Sequence, residues 1–133
     1  MAQDIARRLA SFFEDNAHGA SAVYLFGSVA RHEAAGDSDV DVGVLFADPP
    51  ARTLDAQPYG LEGDLERHLG GRVDLITLND APVDLRARVL RDGLLVFERD
   101  RAARIRFEVR TRNEAFDLEA TLRAYRAPRR VAR

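Results

Sequence analysis

Cysteine is absent from the 133 residues, which excludes disulfides, thiolate catalysis and sulfur-ligated metals together. Lysine is absent as well: all twenty basic residues are arginine, so a cationic contact to phosphate must come from a guanidinium, a group shaped for bidentate recognition. No apolar run approaches membrane-spanning length. The first segment, MAQDIARRLASFFEDNA, carries Asp4 and Glu14 where a secretory leader needs an apolar stretch. A cytoplasmic location with no membrane contact is therefore expected. A strong charge of one sign is lacking too. The formal net charge of -2 exerts no general pull on nucleic acid or anionic lipid, so direct nucleic-acid binding is not expected. His18, His32 and His68 share no ligand spacing that would suggest an imidazole metal site.

What remains is a globular composition, 46% hydrophobic with both charge signs interspersed. A chain of this length buries roughly two thirds of its unfolded surface in one core, so residues 1–133 are read as a single domain. The arginine-rich end, 128–133, is read as a flexible basic tail.

Periodicity orders the elements. Ile5, Leu9, Phe12 and Phe13 fall on one face of a helix that should stop before Gly19. AVYLF, residues 22–26, is a short apolar run of strand formers ended by Gly27. A short helix starting near Ser28 and a polar loop lead to a second strand, DVDVGVLF, apolar on both faces after Asp41. Residues 47–58 form a breaker-rich loop. Leu61, Leu65 and Leu69 predict a helix closed by Gly70-Gly71, RVDLITL a third strand, and Pro82 to Gly93 a bracketed helix. LLVFE predicts a fourth strand near an edge. From Arg101 the chain is helical, with Ile105, Val109, Leu118, Leu122 and Tyr125 expected on one side. The sum is an α/β (α+β) fold: a mixed sheet of about four strands with helices packed on it.

One stretch, GSVARHEAAGDSDVDV at 27–42, carries chemistry. Gly27 permits a sharp turn and close backbone approach. Ser28 offers a hydroxyl and an N–H at a helix start, where phosphate is favoured, and Arg31 follows within a turn. Asp39 and Asp41 alternate with valine and so share a strand face. Two carboxylates there repel and lose solvation, a conflict that a divalent cation removes, and oxygen-only ligands suit Mg²⁺ or Mn²⁺. If the RVDLITL strand is a neighbour, Asp74 completes a three-carboxylate cluster able to hold two ions for in-line phosphoryl or nucleotidyl transfer.

Gly27-Ser28, ten residues, then Asp39-Val40-Asp41 resembles the signature of the polymerase-β-like nucleotidyltransferases. With the leading helix, Asp74, the VLRDGLLVFE unit and the closing EVRTRNEAFDLEATLRAYR segment, the chain is similar to the minimal nucleotidyltransferase (MNT) antitoxins of HEPN/MNT toxin–antitoxin pairs. The resemblance implies a polymerase-β-like palm and a Mg²⁺-dependent transferase, using two ions, that moves AMP from ATP to a tyrosine of a cognate HEPN ribonuclease and silences it. It implies that Gly27 and Ser28, with Arg31, bind the triphosphate, and that Asp39, Asp41 and Asp74 are the catalytic metal ligands.

Other readings of the same residues stand beside these. Gly27-Ser28 is also an ordinary capped turn, Asp39 and Asp41 are also loop and cap residues, Asp74 could pair with Arg72, and Arg31 could be a solvated helix residue. At the level of function, the alternatives are an antitoxin that acts by docking alone and a small-molecule nucleotidyltransferase of the aminoglycoside type.

Overall fold

The structure, a computed structural model, describes residues 2–30, 39–48 and 59–127. The chain runs α1 (Ala2–Asp15), β1 (Ala20–Phe26), α2 (Gly27–Ala30), β2 (Val40–Phe46), α3 (Tyr59–Leu69), β3 (Val73–Thr77), α4 (Val83–Asp92), β4 (Leu94–Glu98) and α5 (Arg101–Arg126). A single 3₁₀ turn, Leu78–Asp80, leads from β3 toward α4. Arg31, most of the 47–58 loop and the 128–133 tail lie outside the described residues.

The four strands form one sheet in the order β3-β2-β1-β4. β1 is antiparallel to both of its neighbours, and β2 is parallel to β3. This is the mixed sheet expected, with the apolar runs of β1 and β2 at its centre. LLVFE forms the β4 edge.

Side-chain alternation sends the two sheet faces to two cores. Val23, Leu25, Val42 and Val44 pack with Leu9 and Phe13 of α1 and Leu65 of α3. Ala22, Tyr24, Phe26 and Leu45 pack with Val89 of α4 and Phe107 of α5. Leu9, Phe13, Leu25 and Leu65 are fully buried, each worth about 1.5–3 kcal/mol of transfer free energy. His18 stacks on Phe12 at 5.0 Å, and His68 lies 5.3 Å from the same ring.

The β3 edge is closed by side chains of α3. Glu62 Oε2 accepts the Leu75 N–H at 3.1 Å and Glu66 Oε2 that of Val73 at 3.2 Å. These bonds take up donors that would otherwise invite a further strand.

One expectation needs correction. Ile105 and Val109 do not face the core; they are 44% and 50% exposed, while Phe107 and Thr111 are buried. At 100° per residue, Ile105 and Val109 lie nearly opposite Leu118 and Tyr125, so they cannot share a side with them. Helix α5 is apolar on two faces, and the sheet selected the one whose Phe107 fits against Tyr24, at a centroid distance of 6.4 Å.

Candidate active site

The site begins where β1 ends. Gly27 has φ +78°, a left-handed conformation that glycine adopts without strain. A Cβ at Gly27 would overlap Asp41 Oδ2 and lie 2.9 Å from its Cγ. The missing side chain is therefore a seat for the Asp41 carboxylate. Ser28 follows, half-buried, in the single described turn of α2.

Strand pairing determines which side chains meet. Phe26 is opposite Asp41 in the β1–β2 ladder, and Asp41 is opposite Asp74 in the β2–β3 ladder. Residues in register project to the same face, so Phe26, Asp41 and Asp74 form one row across three strands. The next row inward is Tyr24, Gly43 and Ile76. There Leu78 comes so close that a Cβ on Gly43 would stand 3.2 Å from its methyl groups. The carboxylates thus occupy the outermost row, where water still reaches them, and the rows covered by α4 and α5 are apolar. Asp74 is exposed and makes no ion pair with Arg72 or any other described residue.

The turn after α4 supports the same strand end. A Cβ at Gly93 would overlap the Val89 carbonyl oxygen and stand 3.2 Å from that of Leu25. The Gly93 N–H donates to Val89 O at 2.8 Å, closing α4 as β4 begins. Its small size lets the chain pass directly beside Leu25 and Phe26, the residues that lead into Gly27.

Asp39 is placed differently. It immediately precedes β2 and is exposed, so strand alternation does not dictate its direction. Among the described residues, no group of three or more carboxylates and imidazoles is close enough to hold a metal ion. The structure brings Asp41 and Asp74 side by side; the three-carboxylate cluster is not assembled in this conformation. The donor chemistry still fits a hard divalent cation: oxygen ligands only, partly solvated, at the open end of the sheet.

Two polar clusters on the α5 side were not visible in the sequence pattern. Tyr24 OH donates to Glu108 Oε2 at 2.6 Å. Arg104 Nη1 donates to the same oxygen at 3.0 Å, with its Nε 3.2 Å from Glu98 Oε2. The ion pair with Glu98 is close, although its alignment leaves the buried Nε without a hydrogen bond. Burial, aided by the Glu108 bond and charge, drives the Tyr24 hydroxyl far above its ordinary pKa. For Glu108, burial pushes upward, but the bonds from Tyr24 and Arg104 prevail and hold it below the usual carboxylate range.

The buried Arg86 makes the second cluster. Its Nε donates to Ala81 O at 2.9 Å, Nη1 to Thr111 Oγ1 at 3.0 Å and Nη2 to Glu114 Oε2 at 2.5 Å. The partners Thr111 and Glu114 lie 25 and 28 residues away in the chain, beyond any local spacing rule.

A four-stranded mixed sheet carrying a glycine turn beside registered aspartates defines a nucleotidyl-transfer fold. Residues 7–102 match the family Polymerase beta, Nucleotidyltransferase, and the chain belongs to it; it is a nucleotidyltransferase. A Methanocaldococcus jannaschii protein provisionally named a protein adenylyltransferase is 35% identical over 77 residues, 58% of this chain and 80% of its own. Among solved structures, a chain of a toxin–antitoxin complex with AMP-PNP matches at TM-score 0.73 and 27% identity, over 90% of this chain and 94% of that one. A chain of the complex between tri-AMPylated Shewanella oneidensis HEPN toxin and MNT antitoxin matches at TM-score 0.69 and 26% identity, over 94% and 95% of the two chains.

Proposed function

We propose that this nucleotidyltransferase is an antitoxin that transfers AMP from ATP to a tyrosine of a HEPN-type toxin in the cytoplasm and thereby silences it. The observation that carries the reading is the Phe26–Asp41–Asp74 row, with Asp41 seated against the Cβ-less Gly27. The AMP-PNP and tri-AMPylated complexes to which the chain is similar support the choice of donor and acceptor.

In this reading the acceptor phenol oxygen attacks the α-phosphorus of ATP. The new O–P bond forms as the bond from that phosphorus to the pyrophosphate oxygen breaks, and pyrophosphate departs. The phenolic proton passes to a carboxylate, for which the exposed Asp74 is the candidate. Gly27 and Ser28 receive the triphosphate: the glycine brings backbone close to it, and the serine offers its hydroxyl and N–H. Arg31 is assigned a phosphate contact from sequence position alone. Asp39, Asp41 and Asp74 would hold Mg²⁺, which when bound supplies charge neutralisation for the triphosphate and the leaving group.

The test is intact-mass spectrometry of the product of the nearest small neighbouring gene, co-expressed with this chain or with its Asp39→Asn/Asp41→Asn form. AMP-unit increments that vanish with the variant are expected. A partner that stays unmodified yet co-purifies with both forms would overturn transfer in favour of neutralisation by docking. That second reading draws on one observation, the large apolar residues exposed along α5.

A further inference from the structure

The face of α5 that packs on the domain through Phe107 continues past the polar Thr111 and Glu114 as an apolar seam, and only its first part is covered. Phe107 and Thr111 are buried against the domain. The same spacing of three and four residues continues through Glu114 to Leu118, Leu122 and Tyr125, which are 40%, 38% and 88% exposed. Beyond Thr111 the helix runs to Arg126 with no buried residue, a stretch of roughly 22 Å at 1.5 Å per residue. A helical segment of that length is marginal in water by itself. A seam with this period is the pattern that packs against another helix.

A groove of the right kind lies beside the seam. α4 and α5 enclose a hollow of about 610 Å³ lined by Ala87, Ala115, Leu118 and Leu122. It continues over the two alanines into a second hollow of about 470 Å³, bordered by Leu90 and Phe116. Small residues on the floor let a visiting backbone approach, and the flanking leucines and Phe116 offer apolar area.

The rim gives the occupant its charge. Arg91, Arg112, Arg123 and Arg126 stand against Asp84 and Glu119, a local balance of +2 (four arginines less two acids) in a chain of net charge -2. Arg91, Arg112 and Arg123 pair with Asp92, Glu108 and Glu119 within this chain, but the three arginine side chains are 71%, 63% and 75% exposed. Such surface pairs contribute little and exchange readily for carboxylates of a partner.

We propose that this groove receives an amphipathic helix of the acceptor protein, its apolar side chains entering between α4 and α5 and acidic residues along its flanks. The proposal rests on the reading above, that the chain acts on a protein partner, and it names the surface that would bring that partner in. A second copy of this chain is the poorer occupant, because a two-fold contact would set the same four arginines of both copies against one another.

The experiment measures binding of the co-expressed neighbour protein to the full chain and to Leu118→Glu/Leu122→Glu. Kd is expected to rise at least a hundredfold, with helicity and the ATP-induced shift in Tm unchanged. Arg123→Glu/Arg126→Glu is expected to raise Kd about tenfold and to flatten its salt dependence. Ile105→Glu/Val109→Glu, on the opposite side of α5, should leave binding as in the parent. A Leu118→Glu/Leu122→Glu chain that binds within threefold of the parent overturns the proposal, as does an equal loss from the Ile105/Val109 pair. So does dissociation of a parent dimer with partner binding intact. If the parent never adenylylates the partner but the seam variants still abolish binding, the transfer reading fails and the groove stands. If adenylylation is intact and the seam variants bind normally, the reverse holds.

Discussion

Two regions on one face of the sheet treat charge in opposite ways. At the outer end, Asp41 and Asp74 stand in register and Asp39 precedes the strand, with no described arginine paired to Asp39 or Asp74. A few residues inward, Glu108 meets Tyr24, Arg104 and Arg112, and the buried Arg86 is matched by Thr111, Ala81 and Glu114. The inner clusters are neutralised within the chain, so their electrostatic energy belongs to folding. Asp39 and Asp74 have no such described partner and stay open to solvent, as the proposed role in binding requires.

This contrast is sharpest if substitutions at the two regions separate cleanly. Asp39→Asn/Asp41→Asn is expected to lower AMP transfer at least a thousandfold, in line with losses when charge stabilisation is removed from a transfer site. Far-UV circular dichroism should show no loss of fold. Asp74→Asn should likewise remove activity without lowering Tm, because one member of a like-charged neighbour pair has been neutralised. A fall in Tm of several degrees for Asp74→Asn would break the comparison.

Arg86→Ala should do the converse. Removing it strips the Thr111 hydroxyl and the Ala81 carbonyl of a partner, and a loss of about 3 kcal/mol is expected from urea denaturation. Transfer activity should persist wherever the variant is folded. Gly27→Ala straddles the two regions, since the added Cβ both strains a positive φ and displaces the Asp41 carboxylate. It should cost about 1–2 kcal/mol of stability and at least tenfold in rate.

The smallest effect is expected at Tyr24. Tyr24→Phe should cost about 1 kcal/mol, leaving Glu108 to its arginines. Its pH signature is specific. The Tyr24 hydroxyl is raised in the fold, so its contribution is complete below the unfolded tyrosine pKa of about 10 and fades as pH rises above it. Glu108 and Glu114 are depressed, Glu114 chiefly by its bond from Arg86. Their contribution is therefore complete above the unfolded glutamate value of about 4.3 and is lost as pH falls below it. Tyr24→Phe should flatten the alkaline limb of Tm against pH and, by removing one of the bonds that depress Glu108, weaken part of the acid limb as well.

A different test uses ligand. ATP with Mg²⁺ at millimolar concentration should raise Tm in the parent by linkage and relief of carboxylate repulsion. The shift should be lost in Asp39→Asn/Asp41→Asn and retained in Tyr24→Phe.

Much of this organisation was readable along the chain. Gly27 between an apolar run and a polar loop announces a sharp turn, and apolar spacing with turn residues located the four strands and the α-helices, often to within two residues, but not the 3₁₀ turn Leu78–Asp80. The GS…DVD spacing made Asp41 a site candidate before any neighbour was known. Local pattern failed where apolar residues face two ways: nothing in RAARIRFEVR says that Phe107 rather than Ile105 will be buried. It failed equally for Arg86, whose partners are brought close only by the packing of α4 on α5.

The sequence by itself determined the elements and the chemistry at their ends, because hydrophobic period, turn residues and strand alternation act over a few residues. Only the tertiary structure decided that β3 lies parallel beside β2, which places Asp74 opposite Asp41 and leaves Asp39 at the strand mouth. It also decided that the seam of α5 outruns the sheet. Register between distant strands and the choice of buried helix face depend on the summed packing of both cores, a free energy that no short window of sequence contains.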